Sequence, residues 1–432
     1  MVKVASWGRL AIAEHHMVPL ASSERAASLL AGSKPGIVYG NGRSYGDMCL
    51  NPSQTLWDSR FLDRFIGFDV ATGRLICEPG VLLRDIHHSV VKQGWMLPVT
   101  PGTQLITVGG AIANDIHGKN HHVEGTFGEH VIQITLVKTD GQVVEISPES
   151  HSDLFAATIG GMGLTGVMTR VELQLKPITT AMLETETLPF ADLQTFLALA
   201  DASELEWEHT VAWVDCTTSH RGRGIFQRAR QAKDGQMTTR HGRQLRVPLT
   251  PPLSCINRVT LSPLCSGYYA LQEKKAGLKT EHFETFLYPL DNLLEWNRVY
   301  GPRGFYQHQS VIPRENSEVV LKDILDTIQR QGAGSFLSVL KTFADRPAAG
   351  MLSFPRAGVT LAMDFPNRGE KTTALMNALD DIVHQAGGRL YAAKDARMSA
   401  DFFRQSYPRL EEFLAFRDPG ISSAMSRRLL GS

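Results

Sequence analysis

The chain is poor in cysteine. The five it has, Cys49, Cys77, Cys216, Cys255 and Cys265, are odd in number and never spaced Cys-x-x-Cys. That argues against a disulfide framework or a zinc knuckle and fits a reducing compartment. Net charge is lacking as well, 44 Lys and Arg standing against 44 Asp and Glu. Nucleic acid is therefore not an expected partner. No stretch approaches the ~20 apolar residues of a membrane span, and Met1 to His16 has no continuous apolar core of a secretion signal. The expected location is cytoplasmic. Internal repeats and long low-complexity tracts are missing too. What remains is an ordinary enzyme-sized composition, 43% apolar over 432 residues, enough for a large core shared by two domains.

Glycine is present where it matters. In Thr100–His122, Pro101-Gly102 makes a turn, and Thr107, Val108, Gly109 and Gly110 offer a hydroxyl and backbone N–H groups free of side chains. Ala111-Ile112-Ala113 can start a helix whose N-terminus favours a phosphate. His117, Lys119, Asn120, His121 and His122 follow at once. The loop reads as a holder of a flavin pyrophosphate that delivers His117 to the reacting end. A Gly-rich turn before a core helix is the alternative. A metal site on His117, His121 and His122 lacks any matching carboxylate or Cys spacing, so no metal is expected.

Two other Gly-rich segments flank this loop. The strand Gly36-Ile37-Val38-Tyr39 feeds Gly40-Asn41-Gly42-Arg43-Ser44-Tyr45-Gly46-Asp47, a turn that lets backbone approach a ligand. Gly161-Met162-Gly163-Leu164-Thr165-Gly166 matches Gly-x-Gly-x-x-Gly, but a helix (Ser152 to Thr158) precedes it and a strand (Val167 to Leu175) follows. That reverses the strand-loop-helix order a nicotinamide dinucleotide requires.

After Lys176-Pro177 the Gly-rich loops end, and a domain boundary is expected near Thr180. Residues 181–388 should form the second domain and 389–432 a return to the first. From His220 to Arg246 eight Lys/Arg meet a single acid, Asp234. The stretch 216–250 reads as a mobile basic loop, either simply solvated or touching an anionic substrate or lipid surface. From Phe305 to Ala393 a βαββαβ rhythm predicts an antiparallel sheet with helices on one face and the other face open. Gln307, Gln309 and Lys341 are polar in otherwise apolar strands, with Thr360 and Ala362 on a neighbouring one. Lys394 ends the last strand, and the helix closing the tail is expected near Met425–Leu430.

Together the three Gly-rich segments, the Ile116–His122 run, Glu295-Trp296-Asn297-Arg298 with Tyr300-Gly301-Pro302, and Tyr391–Arg397 resemble flavoproteins of the vanillyl-alcohol-oxidase or p-cresol-methylhydroxylase type. Within that group the likeness, over nearly the whole chain, is to the decaprenylphosphoryl-ribose oxidase family. The resemblance implies an α+β fold, an FAD-binding domain joined to an antiparallel-sheet substrate domain. It implies that Val38, Tyr39, Gly40, Asn41, Gly42, Arg43, Ser44, Tyr45, Gly46, Asp47 and Met48 bind FAD with Gly102, Thr107, Val108, Gly109, Gly110, His117, Gly118, Lys119 and Asn120. Met168 and Tyr391 complete that site. Covalent members often carry His where Arg43 stands, so the flavin should be non-covalent. Lys394, His117 and Tyr45 are the implied catalytic set, and Lys341, Gln309, Gln307, Trp213, Thr360 and Tyr391 the substrate contacts. Thr360 and Ala362 depart from the Asn and Cys of the mycobacterial members.

The implied reaction is oxidation of a secondary alcohol of a sugar or lipid-phosphosugar, with quinone or oxygen as final acceptor. An NAD-dependent short-chain reductase partner and peripheral contact with the inner face of the membrane go with it. A soluble aldonolactone or alditol oxidase is the alternative enzyme, and a flavin-binding scaffold without catalysis the alternative class.

Overall fold

The computed structural model describes residues 1–217, 222–239 and 244–431. Three sheets carry the fold. A four-stranded mixed sheet runs Val2–Ala5, Ile12–Pro19, Thr55–Asp58, Gly36–Tyr39, the last three mutually parallel. A five-stranded antiparallel sheet has the order Phe65–Asp69, Arg74–Cys77, Val167–Gln174, Val131–Val137, Val143–Ile146. Its outer hairpin turns at Asp140-Gly141, where Gly141 takes φ 90°, a value only glycine adopts freely.

The third sheet has eight antiparallel strands in the order Gly277–His282, Met182–Phe190, Gly224–Gln231, His209–Val214, Ser338–Phe343, Gly358–Pro366, Phe305–Ile312, Arg389–Leu390. The helices Leu193–Ser203, Ser317–Arg330 and Glu370–Gln385 pack on it and on one another. In Ser317–Arg330 the apolar spacing Val320, Leu321, Ile324, Leu325 and Ile328 gives the buried stripe. Val319, which the apolar pattern also includes, lies outside that stripe and is exposed.

The stretch 216–250 is not a loop throughout. Gly224–Gln231 is an interior strand, because its arginines have partners that the local sequence does not display. Arg228 stands opposite Glu186 and Arg230 opposite Glu184, and both pairs close as ion pairs. Arg221, Arg240 and Arg243 of the same basic run lie outside the described residues.

The C-terminal segment returns to the first sheet. Gly36 donates to the Gly420 carbonyl at 3.2 Å and Ser422 donates to Gly36 at 2.9 Å. The helix Ala424–Leu430 places Arg428 between Asp47, at 2.8 Å, and Asp395, at 3.0 Å. This return sets the position of Lys394. No helix among the described residues is long and apolar enough to cross a membrane.

Candidate active site

A cleft of about 920 Å³ opens between the Gly-rich segments and the uncovered face of the eight-stranded sheet, near the upper end of ligand-binding clefts (~300–1,000 Å³). It gathers Val38 to Tyr45, Met48, Gly102, Thr107, Gly109, Gly110, His117 to Lys119, Met168, Trp213, Gln307, Gln309, Lys341, Tyr391 and Lys394. Gly46, Asp47, Val108, Asn120 and Thr360 do not line it. Each has another task. A Cβ on Gly46 would lie 1.6 Å from the Asp395 carbonyl oxygen, so its bareness lets the C-terminal return approach. Asp47 holds Arg428, Val108 is core, Asn120 donates to the Pro98 carbonyl at 2.9 Å, and Thr360 is buried behind Gln309.

The helix Val108–Ala113 forms as expected, with the Thr107 hydroxyl capping Gly110 N–H. Its first N–H groups, however, are not free for a phosphate. Val108 donates to the Val81 carbonyl and Gly109 to the Pro79 carbonyl, at 2.9 and 2.8 Å, and Gly110 to Thr107 Oγ1 at 3.2 Å. The open donors are on the other Gly-rich turn. Among the described residues the backbone N–H groups of Asn41, Gly42, Arg43 and Ser44 meet no protein acceptor. Consecutive free N–H groups in a turn make an anion-binding concavity. Gly40 is required beside it, since a Cβ there would lie 2.6 Å from Thr107 Oγ1.

Two cleft residues carry buried polar atoms without a partner, Asn114 Oδ1 and His117 Nδ1. With the bare face of Gly102, whose Cβ would meet nothing within 4 Å, they fit a polar, planar group laid along the cleft. The residues present therefore suit FAD.

At the sheet end, cross-strand register sets the polar residues on one face. Gln307 opposes Asp364, Gln309 opposes Ala362 and Lys341 opposes Thr360. Directly opposed residues project to the same side, so Thr360, Ala362 and Asp364 share the cleft-side face with both glutamines. Gln309 donates to His117 Nε2 at 3.1 Å and to Thr360 Oγ1 at 3.3 Å. Accepting at Nε2 places the proton of a neutral His117 on Nδ1. Burial, then neighbouring Lys341, His121 and Lys394, keep His117 well below the ordinary histidine range. Tyr391 stacks on Phe354 and donates to the Asn114 carbonyl at 2.9 Å. The Trp213 indole donates to the Phe336 carbonyl at 2.8 Å. His121 packs on Phe343 and His122 bonds the Trp207 carbonyl; of the three histidines His117 lines the cleft and the other two do not.

Three lysines reach the cleft. Burial lowers Lys119 and Lys341 to about 7. Lys119 sits over the Phe286 ring and donates to the Phe286 carbonyl, with Glu281 as its acidic neighbour. Lys341 donates to the Gly118 carbonyl at 3.0 Å; its charged neighbours, Lys119 and Lys394, are both cations. Lys394 Nζ lies 3.9 Å over the centroid of Tyr45. Burial lowers its pKa and the Asp364 carboxylate opposes the fall.

Asp364 escapes a reading by motif, since Val359–Phe365 otherwise looks like a core strand. Continuing the period-2 series from Thr360 and Ala362 by one more step would have reached it.

Comparison with known proteins agrees with this geometry. Residues 26–147 match the FAD binding domain family. The chain is 35% identical over 99% of its length, and 97% of the relative's, to decaprenylphosphoryl-β-D-ribose oxidase of Mycolicibacterium smegmatis. It is 30% identical over 81% of its length to the whole of an uncharacterised protein in the mprA 5′ region of Streptomyces coelicolor. L-gulonolactone oxidase of Mus musculus matches at 32% identity over 32% of the chain and 31% of that enzyme. The chain is an FAD-dependent oxidoreductase with a p-cresol-methylhydroxylase-type fold, and it belongs to the decaprenylphosphoryl-β-D-ribose oxidase family.

Proposed function

We propose that the protein oxidises the ribose C2 hydroxyl of a polyprenylphosphoryl-β-D-ribose to the ketone, the first half of an epimerisation to arabinose. FAD supplies the hydride acceptor when bound. The observation that carries the phosphosugar reading is Lys341, a buried lysine whose charged neighbours among the described residues, Lys119 and Lys394, are lysines and include no acid. Such a group asks for an anion from the ligand, which a phosphodiester provides and a neutral lactone or alditol does not. The name of the Mycolicibacterium relative, of which the chain covers nearly the whole length, supports the same substrate.

Within the site Lys394 handles the hydroxyl proton. Its ammonium is destabilised by burial, against the opposing Asp364 carboxylate, so that its pKa falls to about 8, toward the range where an amine accepts a proton at neutral pH. Tyr45 gives Lys394 an aromatic wall. His117 is a neutral hydrogen-bonding support held by Gln309 rather than the base. Gln307, Gln309 and Trp213 orient the sugar, and Lys341 with Lys119 takes the phosphate. Arg43 stacks over Trp7 and bonds the Asn41 carbonyl, so it offers no nucleophile for a flavin bond. The flavin is accordingly non-covalent, and acid precipitation should leave it in solution.

A short-chain reductase using a nicotinamide would return hydride to C2. The domain division at residue 180, the return at 389 and a peripheral position at a lipid surface belong to the same reading. Anaerobic bleaching of the flavin by polyprenylphosphoryl-ribose, compared with arabinonolactone, galactonolactone and xylitol, tests it. Bleaching by the lactones or xylitol alone, with peroxide release in air, would replace it by the soluble oxidase reading.

A further inference from the structure

We infer that Asp364 is a positioning residue of the oxidation site, a buried carboxylate that orients Gln307 and supplies the negative charge balancing Lys394. The inference rests on the proton-handling role given to Lys394 above. Two contacts hold the carboxylate and a third holds its backbone. Gln307 Nε2 donates to Oδ1 at 2.5 Å, the Tyr300 hydroxyl approaches Oδ2 at 3.5 Å, and its own backbone N–H is tied to Ser335 Oγ at 2.9 Å. Tyr300 is in turn stacked on Phe305 at 4.1 Å, with Tyr45 edge-on to the same ring. Asp364 is fully buried. None of these partners is a cation, and no direct ion pair to it forms among the described residues.

A buried carboxylate with only neutral partners needs a nearby charge. The charged and titratable groups facing it are Lys394, Tyr45 and Tyr300, and Lys394 alone carries a positive charge. Seen from Lys394, the facing groups are Asp364, Tyr45, Lys341 and His117, and Asp364 alone is an acid. Neighbouring Asp395 is engaged by Arg428 and by the Arg397 and Met398 N–H groups. Gln307 bonds Asp364 and Lys394 lies over Tyr45; burial raises the Asp364 carboxyl and Lys394 opposes the rise, so the two groups balance each other without touching. The arrangement also aims Gln307. Its amide nitrogen is held by Asp364, and the same side chain interacts with Tyr45.

The test is Asp364→Asn, which keeps an acceptor for Gln307 but removes the charge. Its readout is the pH midpoint of Lys394 acylation by a small amine-reactive reagent, followed by peptide mass spectrometry of the flavin-loaded protein. Without the carboxylate the Lys394 midpoint should fall by about one unit, a roughly tenfold gain in reactive amine below the midpoint. Asp364→Glu, which restores the charge, should bring it back toward the starting value. The acid limb of kcat/KM should move with the label while KM changes little. An unmoved midpoint in the Asn variant, with flavin content and melting temperature near those of the unaltered protein, overturns the proposal. So does a variant that only loses stability while Glu fails to restore the midpoint. The labelling needs no substrate. A shifted midpoint in a protein that polyprenylphosphoryl-ribose never bleaches would sink the substrate reading and leave this one standing.

Discussion

At the scale of the residue, charge balance separates the roles inside the cleft. Lys394→Met removes the proposed proton acceptor but keeps the apolar stem over Tyr45. Flavin content should stay full, while anaerobic flavin reduction by the donor slows by about 10²–10⁴, and stopped-flow absorbance reads both. Lys341→Met should act on binding instead. KM for the phosphorylated donor should rise at least tenfold with kcat little changed, since the lost contact is made to a part of the donor that does not react. Were Lys341→Met to lower kcat and leave KM alone, the phosphate assignment would be wrong. Lys341, Gln309 and Lys394 were legible in the sequence because each is a polar interruption of an apolar strand or stands at its end. Asp364 lies one step further along the same alternation, but what it holds was not legible, since Gln307 and Tyr300 lie about sixty positions away and only the fold brings them to it.

At the scale of the element, the Gly-rich segments were found from sequence but their duties were partly exchanged. Gly109-Gly110 looked like the phosphate cradle. In the folded chain the N–H groups of Gly109 and Gly110 are consumed by Pro79 and Thr107, and among the described residues the free donors belong to Asn41–Ser44. Sequence shows where backbone is bare but not which carbonyls will reach it. The basic run after His220 failed for the same reason, as Glu184 and Glu186 sit some forty residues earlier. Gly46 gives a sharp test of an element contact. Gly46→Ala must push the Asp395 carbonyl away from a 1.6 Å overlap, and the adjacent Tyr45 N–H to Ala393 carbonyl bond moves with it. A loss of about 1–3 kcal/mol in chemical denaturation is expected. Activity should fall further than flavin binding, because Lys394 rides on the displaced segment.

At the scale of the whole molecule, the antiparallel sheet with an open face and helices behind it was readable from alternation and 3.6-residue spacing, while the long-range closure was not. Buried histidines give the assembled protein a pH signature. Burial holds His87 and His209 at about 4, below the 6.5 of a free side chain. Between those values the unfolded chain binds more protons than the folded one. Their contribution is therefore complete above pH 6.5 and drains away as pH falls toward 4, by about 1.4 kcal/mol per unit for each group. Calorimetric melting temperature should drop steeply across that window, and His87→Gln should flatten the drop. The C-terminal return has a consequence in time. Residues 389–430 supply the last strand of the large sheet, the partners of Gly36 and Asp47, and Lys394 itself. A ribosome-bound chain thus holds all three Gly-rich segments before it owns Lys394, the group proposed to handle the proton. Contacts spanning almost four hundred positions are slow to form, so closure of the C-terminal return is expected to trail the rest of the fold.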